Sequence, residues 1–214
     1  MQMYFDLIAL LLTFTQMNRN KTPKHTLIIN GHPDKQSFCA ALAEACQRGV
    51  LAAGSTPVLV HLADLHFDPV LHKAYKEKQR LEPDLQNLRE HFTRCDHLIL
   101  IYPLWWMNCP SLLKGMFDRL FLPGVMYRFT GNAYRREKFM RGKSARIIVT
   151  MDSPPLFYRL VMNRPADCAI GCGTLKFTGF APLRISHFGP VRRSSPERRN
   201  RWLKKVEKFG NKMN

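Results

Sequence analysis

Short β-rich runs alternate with segments of helical periodicity along most of the 214-residue chain. Five short apolar runs predict buried strands, and they lie at residues 25–31, 57–62, 97–102, 145–150 and 183–189. Apolar residues recur at three- and four-residue spacing between them, which predicts helices at 37–50, 83–92 and 111–121 and a last helix that begins at Ser195 and Pro196. Strands separated by helices favour one parallel sheet, because right-handed crossovers place the helices on its faces.

The number of strands narrows the α/β class further. Five strands suit the flavodoxin-like order 2-1-3-4-5, a doubly wound parallel sheet with helices on both faces. In that order strands one and three are neighbours, and ligands bind beyond their carboxyl ends. The loops that follow strands one, three and four, residues 31–38, 102–110 and 150–158, are therefore expected at one edge. The domain is expected to span 25–214, with 1–24 as an extension outside the core.

The chain is strongly basic, with 33 Lys and Arg against 16 Asp and Glu and a formal net charge of +17. This excess favours an anionic partner without naming one. Basic residues concentrate in segments 135–146 and 184–212. No zinc-finger, recognition-helix or base-stacking pattern accompanies them, so nucleic-acid binding is not predicted.

Cysteine usage and hydropathy indicate the compartment. The six cysteines form no CxxC pair and are interpreted as small buried hydrophobes in a reducing environment. Cys168 and Cys172 have no second ligand pair at zinc spacing, so no metal site is predicted. The apolar run at 7–12 is too short to span a bilayer. We expect a cytoplasmic protein, with attachment to the membrane surface as the alternative.

The loop after the first strand, "GHPDKQSF" at 31–38, could bind a phosphate group. A phosphate at the start of the following helix would meet the backbone N–H groups of Gln36, Ser37, Phe38 and Cys39. The Ser37 hydroxyl and the His32 ring would add further donors. Alternatively, Ser37 only caps the helix and His32 only closes a turn.

The loop after the third strand carries two adjacent tryptophans in "YPLWW", residues 102–106. Pro103 fixes the turn, and the planar side chains of Trp105 and Trp106 offer a flat apolar wall to an aromatic ligand. The alternative is that both are core or subunit-contact residues. Adjacent residues seldom point the same way, so this alternative suits one tryptophan better than both.

Three stretches carry a resemblance to a known family: "GHPDKQSFCAALAEA", "YPLWWMNCPSLLKGMFDRLFLPGVMYRF" and "TMDSPPLFYRL". They resemble the NAD(P)H:quinone oxidoreductase group of flavodoxin-like flavoproteins. The correspondence runs from about residue 25 to 209 in the same motif order, and its middle motif is the most specific. The resemblance implies a flavin, FAD or FMN, as cofactor, NAD(P)H as co-substrate and a quinone or similar small molecule as acceptor.

The resemblance also implies site roles. The flavin phosphate would be held by His32, Gln36, Ser37, Phe38 and Cys39. The flavin ring would be bordered by Pro103, Leu104, Trp105 and Trp106, with Trp106 against the ring and Trp105 towards a neighbouring subunit. The segment along the pyrimidine end of the ring would be Thr150, Met151, Asp152 and Ser153. The substrate pocket of family dimers is shaped at positions that match Tyr127 and Phe129.

One departure from the family concerns proton transfer. Some relatives carry a Gly-Gly turn after the fourth strand, followed by a tyrosine and a histidine that serve this purpose. This chain instead has Asp152, Ser153 and two prolines with no following histidine, which leaves Tyr158 as the nearest candidate. Arg128 and Arg135 are candidates to contact the phosphates of the pyridine nucleotide.

The resemblance implies an enzyme that works as a homodimer. NAD(P)H would leave a hydride on flavin N5, and a quinone would then take two electrons in the same pocket, in a ping-pong cycle. The alternative is a flavin-bearing regulatory subunit similar to the ancillary proteins of potassium efflux systems. Such a subunit would bind a membrane-associated partner.

Overall fold

The computed structural model describes residues 24–131 and 135–212. Its strands in chain order are β1 His25–Asn30, β2 Thr56–His61, β3 His97–Pro103, β4 Tyr127–Phe129, β5 Arg136–Lys138, β6 Ser144–Thr150 and β7 Leu183–Phe188. Its α-helices are α1 Phe38–Ala52, α2 Pro83–Arg94, α3 Ser111–Leu120, α4 Pro155–Leu160 and α5 Pro196–Lys212. A 3₁₀ turn covers Leu62–Asp64, and a π-helix covers Asp167–Lys176. The predicted N-terminal extension lies outside the described residues, apart from Lys24.

Five parallel strands form the central sheet in the order β2-β1-β3-β6-β7. Because β6 and β7 are the fourth and fifth strands of this sheet, the predicted order 2-1-3-4-5 is confirmed. The residues of β3 are all buried, and those of β6 are buried from Ala145 onwards. A strand covered on both faces carries apolar side chains at most positions, which explains the apolar runs in the sequence. Strands β4 and β5 form a separate antiparallel hairpin that the sequence did not predict.

Helices α1 and α5 cover one face of the sheet, and their backbones pack very closely against each other. A Cβ atom at Gly49 would lie 1.9 Å from the carbonyl oxygen of Glu207, and one at Gly210 would lie 2.2 Å from that of Cys46. Only glycine fits where two helix backbones approach so closely. The start of α5 is as predicted, because the Arg198 N–H donates to the Ser195 hydroxyl at 3.3 Å.

The other face of the sheet is covered by α2 and α3, and Arg119 of α3 ties the long loop before α2 to this layer. The Arg119 side chain is 0% exposed. It donates to the Glu82 carboxylate at 2.9 and 3.1 Å, to the Arg80 carbonyl at 2.9 Å and to the Asp68 carbonyl. Burial of Glu82 opposes its ionisation, but the hydrogen bonds, with Arg119 foremost, keep its pKa below the ordinary value. Arg119 is thus a buried clamp for the segment between β2 and α2.

Burial of the cysteines follows the prediction for four of the six. Cys39, Cys46, Cys95 and Cys109 are buried, whereas Cys168 and Cys172 are exposed. The prediction was wrong for this last pair because both lie on the outward side of the π-helix. No group of three or more potential metal ligands occurs within residues 24–131 and 135–212. Over the same ranges, every helix is too short or too polar to cross a bilayer.

His97 at the start of β3 is a fully buried histidine with one unused ring nitrogen. Its Nδ1 atom lies 2.7 Å from the Ser144 hydroxyl, while Nε2 has no hydrogen-bond partner among the described residues. Burial is the main cause that lowers its pKa to about 4, and the positive charges of Arg146 and Lys24 add to the effect. The ring is therefore neutral at physiological pH.

This burial predicts a loss of stability in acid. An unfolded histidine titrates near 6.5, so between pH 6.5 and 4 the unfolded chain binds a proton that the folded chain does not bind. Stability should therefore fall over this window, by roughly 2 to 3 kcal/mol at pH 4.5 from this one residue. Urea unfolding at pH 7 and pH 4.5 measures the loss, which should be clearly smaller in His97→Gln. Equal losses in both proteins would contradict this account.

Candidate active site

A cavity of about 440 Å³ lies beyond the carboxyl ends of the central strands. The three loops predicted to meet there all contribute, as does the loop that follows β7. The lining residues are His32, Asp34, Ser37, Phe38, Cys39, Pro103, Leu104, Trp105, Trp106, Met107, Thr150, Met151, Asp152, Ser153 and Val191. The structure thus brings together twelve of the thirteen residues predicted for the cofactor, the exception being Gln36.

The first turn of α1 presents hydrogen-bond donors at one end of the cavity. Ser37 caps the helix, since its hydroxyl oxygen accepts from the Ala40 N–H at 3.3 Å. The hydroxyl proton remains available to a ligand. The N–H groups of Phe38 and Cys39 lie in the first turn, where a helix offers no internal acceptor, and neither has a partner among the described residues. Together with the positive end of the helix dipole, these donors suit a phosphate.

Gln36 does not take part in this arrangement. Its residue is exposed, and its N–H donates to the Asp34 carboxylate at 2.8 Å. The predicted contact between this N–H and a phosphate is therefore not supported, because the carboxylate of the loop itself already occupies the donor. Asp34 lines the cavity in its place and was missed from the sequence, where it had no distinguishing pattern.

His32 closes the loop and also lines the cavity. Its Nδ1 atom accepts the Asp34 N–H at 2.9 Å, which places the proton of the neutral ring on Nε2. Burial is the main cause that lowers the pKa of His32, and Asp34 partly opposes it. The ring packs edge-on against Trp105 with centroids 5.5 Å apart. His32 therefore closes the turn, as one alternative had it, and it remains a neutral donor through Nε2.

The double-tryptophan loop is a tight turn with an unusual backbone. Trp105 and Asn108 exchange two N–H···O bonds of 2.8 Å, and the two central residues, Trp106 and Met107, have φ values of 49° and 60°. This is the type I′ pattern, in which Asn and Gly are the preferred residues. Large side chains there are strained, and strained backbone often marks a functional position. The structure places an indole at the cavity rim despite this strain.

The two tryptophans differ in their surroundings. Trp106 is 100% exposed and Trp105 is 44% exposed, and both line the cavity. Core packing is therefore excluded as the role of Trp106 within this chain. A fully exposed indole at the rim of this cavity is available to stack on a bound ring or to contact a neighbouring subunit.

Thr150 at the end of β6 joins all three predicted loops. Its hydroxyl lies 3.2 Å from the Cys39 thiol at the start of α1, and its carbonyl oxygen accepts the Leu104 N–H at 2.7 Å. Burial raises the pKa of Cys39 to about 12, so this cysteine is a neutral thiol that packs against the cavity floor. It is not a nucleophile.

The cavity-lining segment that follows Thr150 is hydrogen-bonded to the end of β7 and to the loop after it. The Met151 N–H donates to the Phe188 carbonyl at 2.9 Å, and the Met151 carbonyl accepts the Val191 N–H at 3.0 Å. The carboxylate of Asp152 accepts the Arg192 N–H at 2.8 Å. Val191 thereby reaches the cavity, a contribution that no motif in the sequence marked.

Tyr158, the predicted proton donor, does not line the cavity. Its side chain is 0% exposed, and its hydroxyl lies 3.3 Å from a carboxylate oxygen of Asp167, which His187 also contacts at 3.0 Å. Burial, followed by the negative charge of Asp167, raises the pKa of Tyr158 to about 12. The tyrosine is the one buried side chain of α4 and anchors this helix to the core. The structure therefore gives it a structural position.

Tyr127 and Phe129 also lie away from this cavity within one chain. Both belong to the β4–β5 hairpin, where Tyr127 packs against Phe177 with centroids 4.9 Å apart and Phe129 is exposed. Arg128 on the same hairpin forms an ion pair with Glu137 at 2.6 Å. Arg135 immediately precedes the second hairpin strand. None of these side chains lines the cavity at the strand ends within one chain, so their predicted roles stay predictions.

The geometry defines a site for one kind of ligand. Helix-start donors lie at one end, an exposed indole at another, and a neutral polar floor between them, with no activated nucleophile in the lining. This arrangement suits a phosphate-bearing molecule with a planar ring, held at the topological switch point of a flavodoxin-like sheet.

Comparison with known proteins gives the class. A family model described as "Flavodoxin-like fold" matches residues 24–211, and the chain belongs to this family. It is 32% identical over 172 residues to an uncharacterized NAD(P)H oxidoreductase of Haemophilus influenzae, a match that covers 77% of this chain and 83% of the relative. It is 27% identical over 212 residues to NAD(P)H dehydrogenase [quinone] 1 of Cavia porcellus, covering 86% and 76%.

A solved structure shares the fold. The FMN-dependent NADH-azoreductase of Bacillus anthracis, in complex with FMN, superposes with a TM-score of 0.70 at 17% identity, covering 88% of this chain and 98% of that one. The predicted fold class, the resemblance to NAD(P)H:quinone oxidoreductases and the oxidoreductase class are confirmed by these matches taken together.

Proposed function

We propose that the chain is a flavin-dependent NAD(P)H oxidoreductase that reduces a quinone or similar small acceptor in a ping-pong cycle. The observation that carries the proposal is the convergence of three motif loops on one cavity, with free helix-start donors and an exposed tryptophan on its lining. The names of the relatives, NAD(P)H oxidoreductase and NAD(P)H dehydrogenase [quinone], support it. FMN in a structure of similar fold supports a flavin as cofactor, with FAD as the alternative.

The residues of this chain would bind and orient the cofactor. The N–H groups of Phe38 and Cys39 and the Ser37 hydroxyl would hold a phosphate, with His32 Nε2 as a further donor. The ring would lie between the double-tryptophan turn and segment Thr150–Ser153, leaving one face open. A bound flavin would supply the redox chemistry as a two-electron carrier between the nucleotide and the acceptor. No nucleophilic side chain is needed.

Steady-state kinetics of flavin-loaded protein test this function. We expect oxidation of NADH or NADPH that depends on a quinone such as menadione, with parallel double-reciprocal lines as required by a ping-pong cycle. Protein from which flavin has been removed should be inactive and regain activity on flavin addition. Flavin-loaded protein that turns over neither nucleotide with quinones or azo dyes would contradict the proposal.

A second candidate, a flavin-bearing regulatory subunit of a membrane transport system, is favoured by one feature. Helix α4 exposes the apolar side chains of Leu156, Phe157 and Leu160, on a chain whose net charge is +17. A transporter partner would cover such a surface. Capture of a transport protein from detergent-solubilised membranes, together with weak quinone turnover, would favour this candidate over the enzyme.

We expect a homodimer with the sites at its interface. Trp105, Trp106, Phe129 and apolar side chains of α4 are exposed in the single chain, and a second subunit would cover such side chains. Sedimentation velocity at micromolar concentration should show a dimer, and dissociation on dilution should lower activity in parallel. A fully active monomer would contradict this expectation.

Substitution of Trp106 separates ring stacking from a structural role. Because the side chain is 100% exposed, Trp106→Ala should leave the melting temperature of the apoprotein almost unchanged. It should weaken flavin binding roughly 2- to 12-fold, the equivalent of about 0.5 to 1.5 kcal/mol of aromatic contact. Trp106→Phe should retain most of the affinity. Flavin binding as tight as that of the wild type in Trp106→Ala would refute the stacking role.

A further inference from the structure

We propose that the chain has a second ligand site, built to bind a compact amphipathic anion such as an aliphatic carboxylate. It is a groove of about 470 Å³ between α2, the loop that precedes α2 and the segment that follows α3. This volume is within the range of small-molecule sites in proteins. The groove shares no lining residue with the flavin cavity, so the proposal does not rest on the proposed function.

The lining of this anion groove carries positive charge without a matching acid. Lys78, Arg89 and Arg119 line it, and its lining includes no aspartate or glutamate. Arg119 is neutralised by Glu82, but neither Lys78 nor Arg89 forms an ion pair with any described residue. On α2 and α3, Arg94 pairs with Glu90 and Lys114 with Asp118, whereas Lys76 and Arg80 in the loop before α2 are unpaired among the described residues, as Lys78 is. Two unpaired cations at one groove favour an anionic ligand.

The floor of the groove is apolar. Leu81, Leu122 and Val125 line it as half-buried side chains, and Leu81 and Val125 also pack against the main core. A purely ionic ligand would leave this surface in water, whereas a hydrocarbon tail or ring would cover it at about 25 cal/mol per Å². Gln86 is also at the groove, and its amide nitrogen donates to the Leu81 carbonyl at 2.7 Å. The lining therefore suits an anionic head with an apolar body.

The walls of the groove are fixed by hydrogen bonds, so little ordering is needed on binding. On one side, Arg119 holds the carbonyl of Arg80 and the carboxylate of Glu82. On the other side, the Gly124 N–H donates to the Tyr127 carbonyl at 2.6 Å, and the Val125 N–H donates to the Leu122 carbonyl at 3.1 Å. The site is thus preformed by bonds that do not involve Lys78 or Arg89.

Isothermal titration of the full chain with octanoate tests the site, with octan-1-ol as the uncharged control. We expect saturable one-to-one binding of octanoate that persists in excess FMN, and much weaker binding of the alcohol. The double variant Lys78→Gln/Arg89→Gln should raise the octanoate Kd about five- to tenfold. A tenfold increase corresponds to about 1.4 kcal/mol of binding free energy. Lys76→Gln/Arg94→Gln removes the same charge from the same elements outside the groove and should change the Kd less than about twofold.

The substituted side chains are exposed, so both double variants should have the melting temperature of the wild type. An unchanged melting temperature would show that any loss of octanoate affinity is local. Absence of octanoate binding would overturn the proposal, as would equal binding of the alcohol or an equal loss in both double variants. Displacement of octanoate by FMN would place the binding in the flavin cavity and would overturn it too. Failure of flavin uptake would leave this test unaffected, so the two proposals fail separately.

Discussion

Arg119→Met should destabilise the folded chain by about 3 to 5 kcal/mol, the usual loss when one partner of a buried ion pair is removed. The change keeps most of the side-chain volume but deprives Glu82 and two loop carbonyls of their donor. The long loop before α2 would then lose its attachment to α3. Urea unfolding followed by circular dichroism measures the effect.

An exposed ion pair on the same helix provides the matched control. Lys114 pairs with Asp118 at 2.6 Å, with both side chains about half exposed. Lys114→Met should therefore change stability by less than about 1 kcal/mol. Similar losses in the two variants would contradict the role assigned to Arg119, because the structure attributes its effect to burial.

Ser37→Glu should weaken flavin binding at least about 100-fold, because it would place a negative carboxylate at the start of α1, where the flavin phosphate is proposed to bind. Two like charges about 4 Å apart repel by roughly 4 kcal/mol at the effective dielectric of a partly buried site. Glutamate is also a poorer N-cap than serine, so a small loss of stability will accompany the change. Fluorescence quenching of FMN and of FAD measures affinity.

Ser195→Glu is the matched control for this change. Ser195 caps α5 as Ser37 caps α1, with an acceptor distance of 3.3 Å in each case, and it does not line the cavity. It should show a similar small loss of stability with unchanged flavin affinity. Equal flavin affinity in both variants would show that the start of α1 does not hold the phosphate.

The five strands of the sheet were predictable because of how they are buried. A strand covered on both faces, such as β3, is apolar over most of its length, here from Leu98 onwards, and this leaves a continuous signal in the sequence. The hairpin strands Tyr127–Phe129 and Arg136–Lys138 are three residues each and largely polar, so they leave no such signal. The π-helix was missed because its i→i+5 bonding does not follow the 3.6-residue period by which helices are recognised.

The sequence predicted those residues of the candidate site that lie in a recognisable motif directly after a strand. Val191 was missed because it enters from a loop without one, and Asp34 because its carboxylate acts only through the folded loop. The direction of Tyr158 could not be read from a six-residue helix whose other side chains are all exposed or partly exposed and, apart from Arg159, apolar. The burial of Arg119 could not be predicted either, because an arginine on an amphipathic helix is usually exposed. Its side chain is buried only because the loop before α2 folds over it.

The central claim is that the cavity beyond the carboxyl ends of β1, β3 and β6 binds a flavin. The most direct test is the absorbance spectrum of the purified protein after incubation with excess FMN or FAD and removal of unbound cofactor. We predict flavin bands that correspond to one flavin per chain, with FMN, FAD or both retained. A folded protein that stays colourless after incubation with each of the two flavins would contradict the claim.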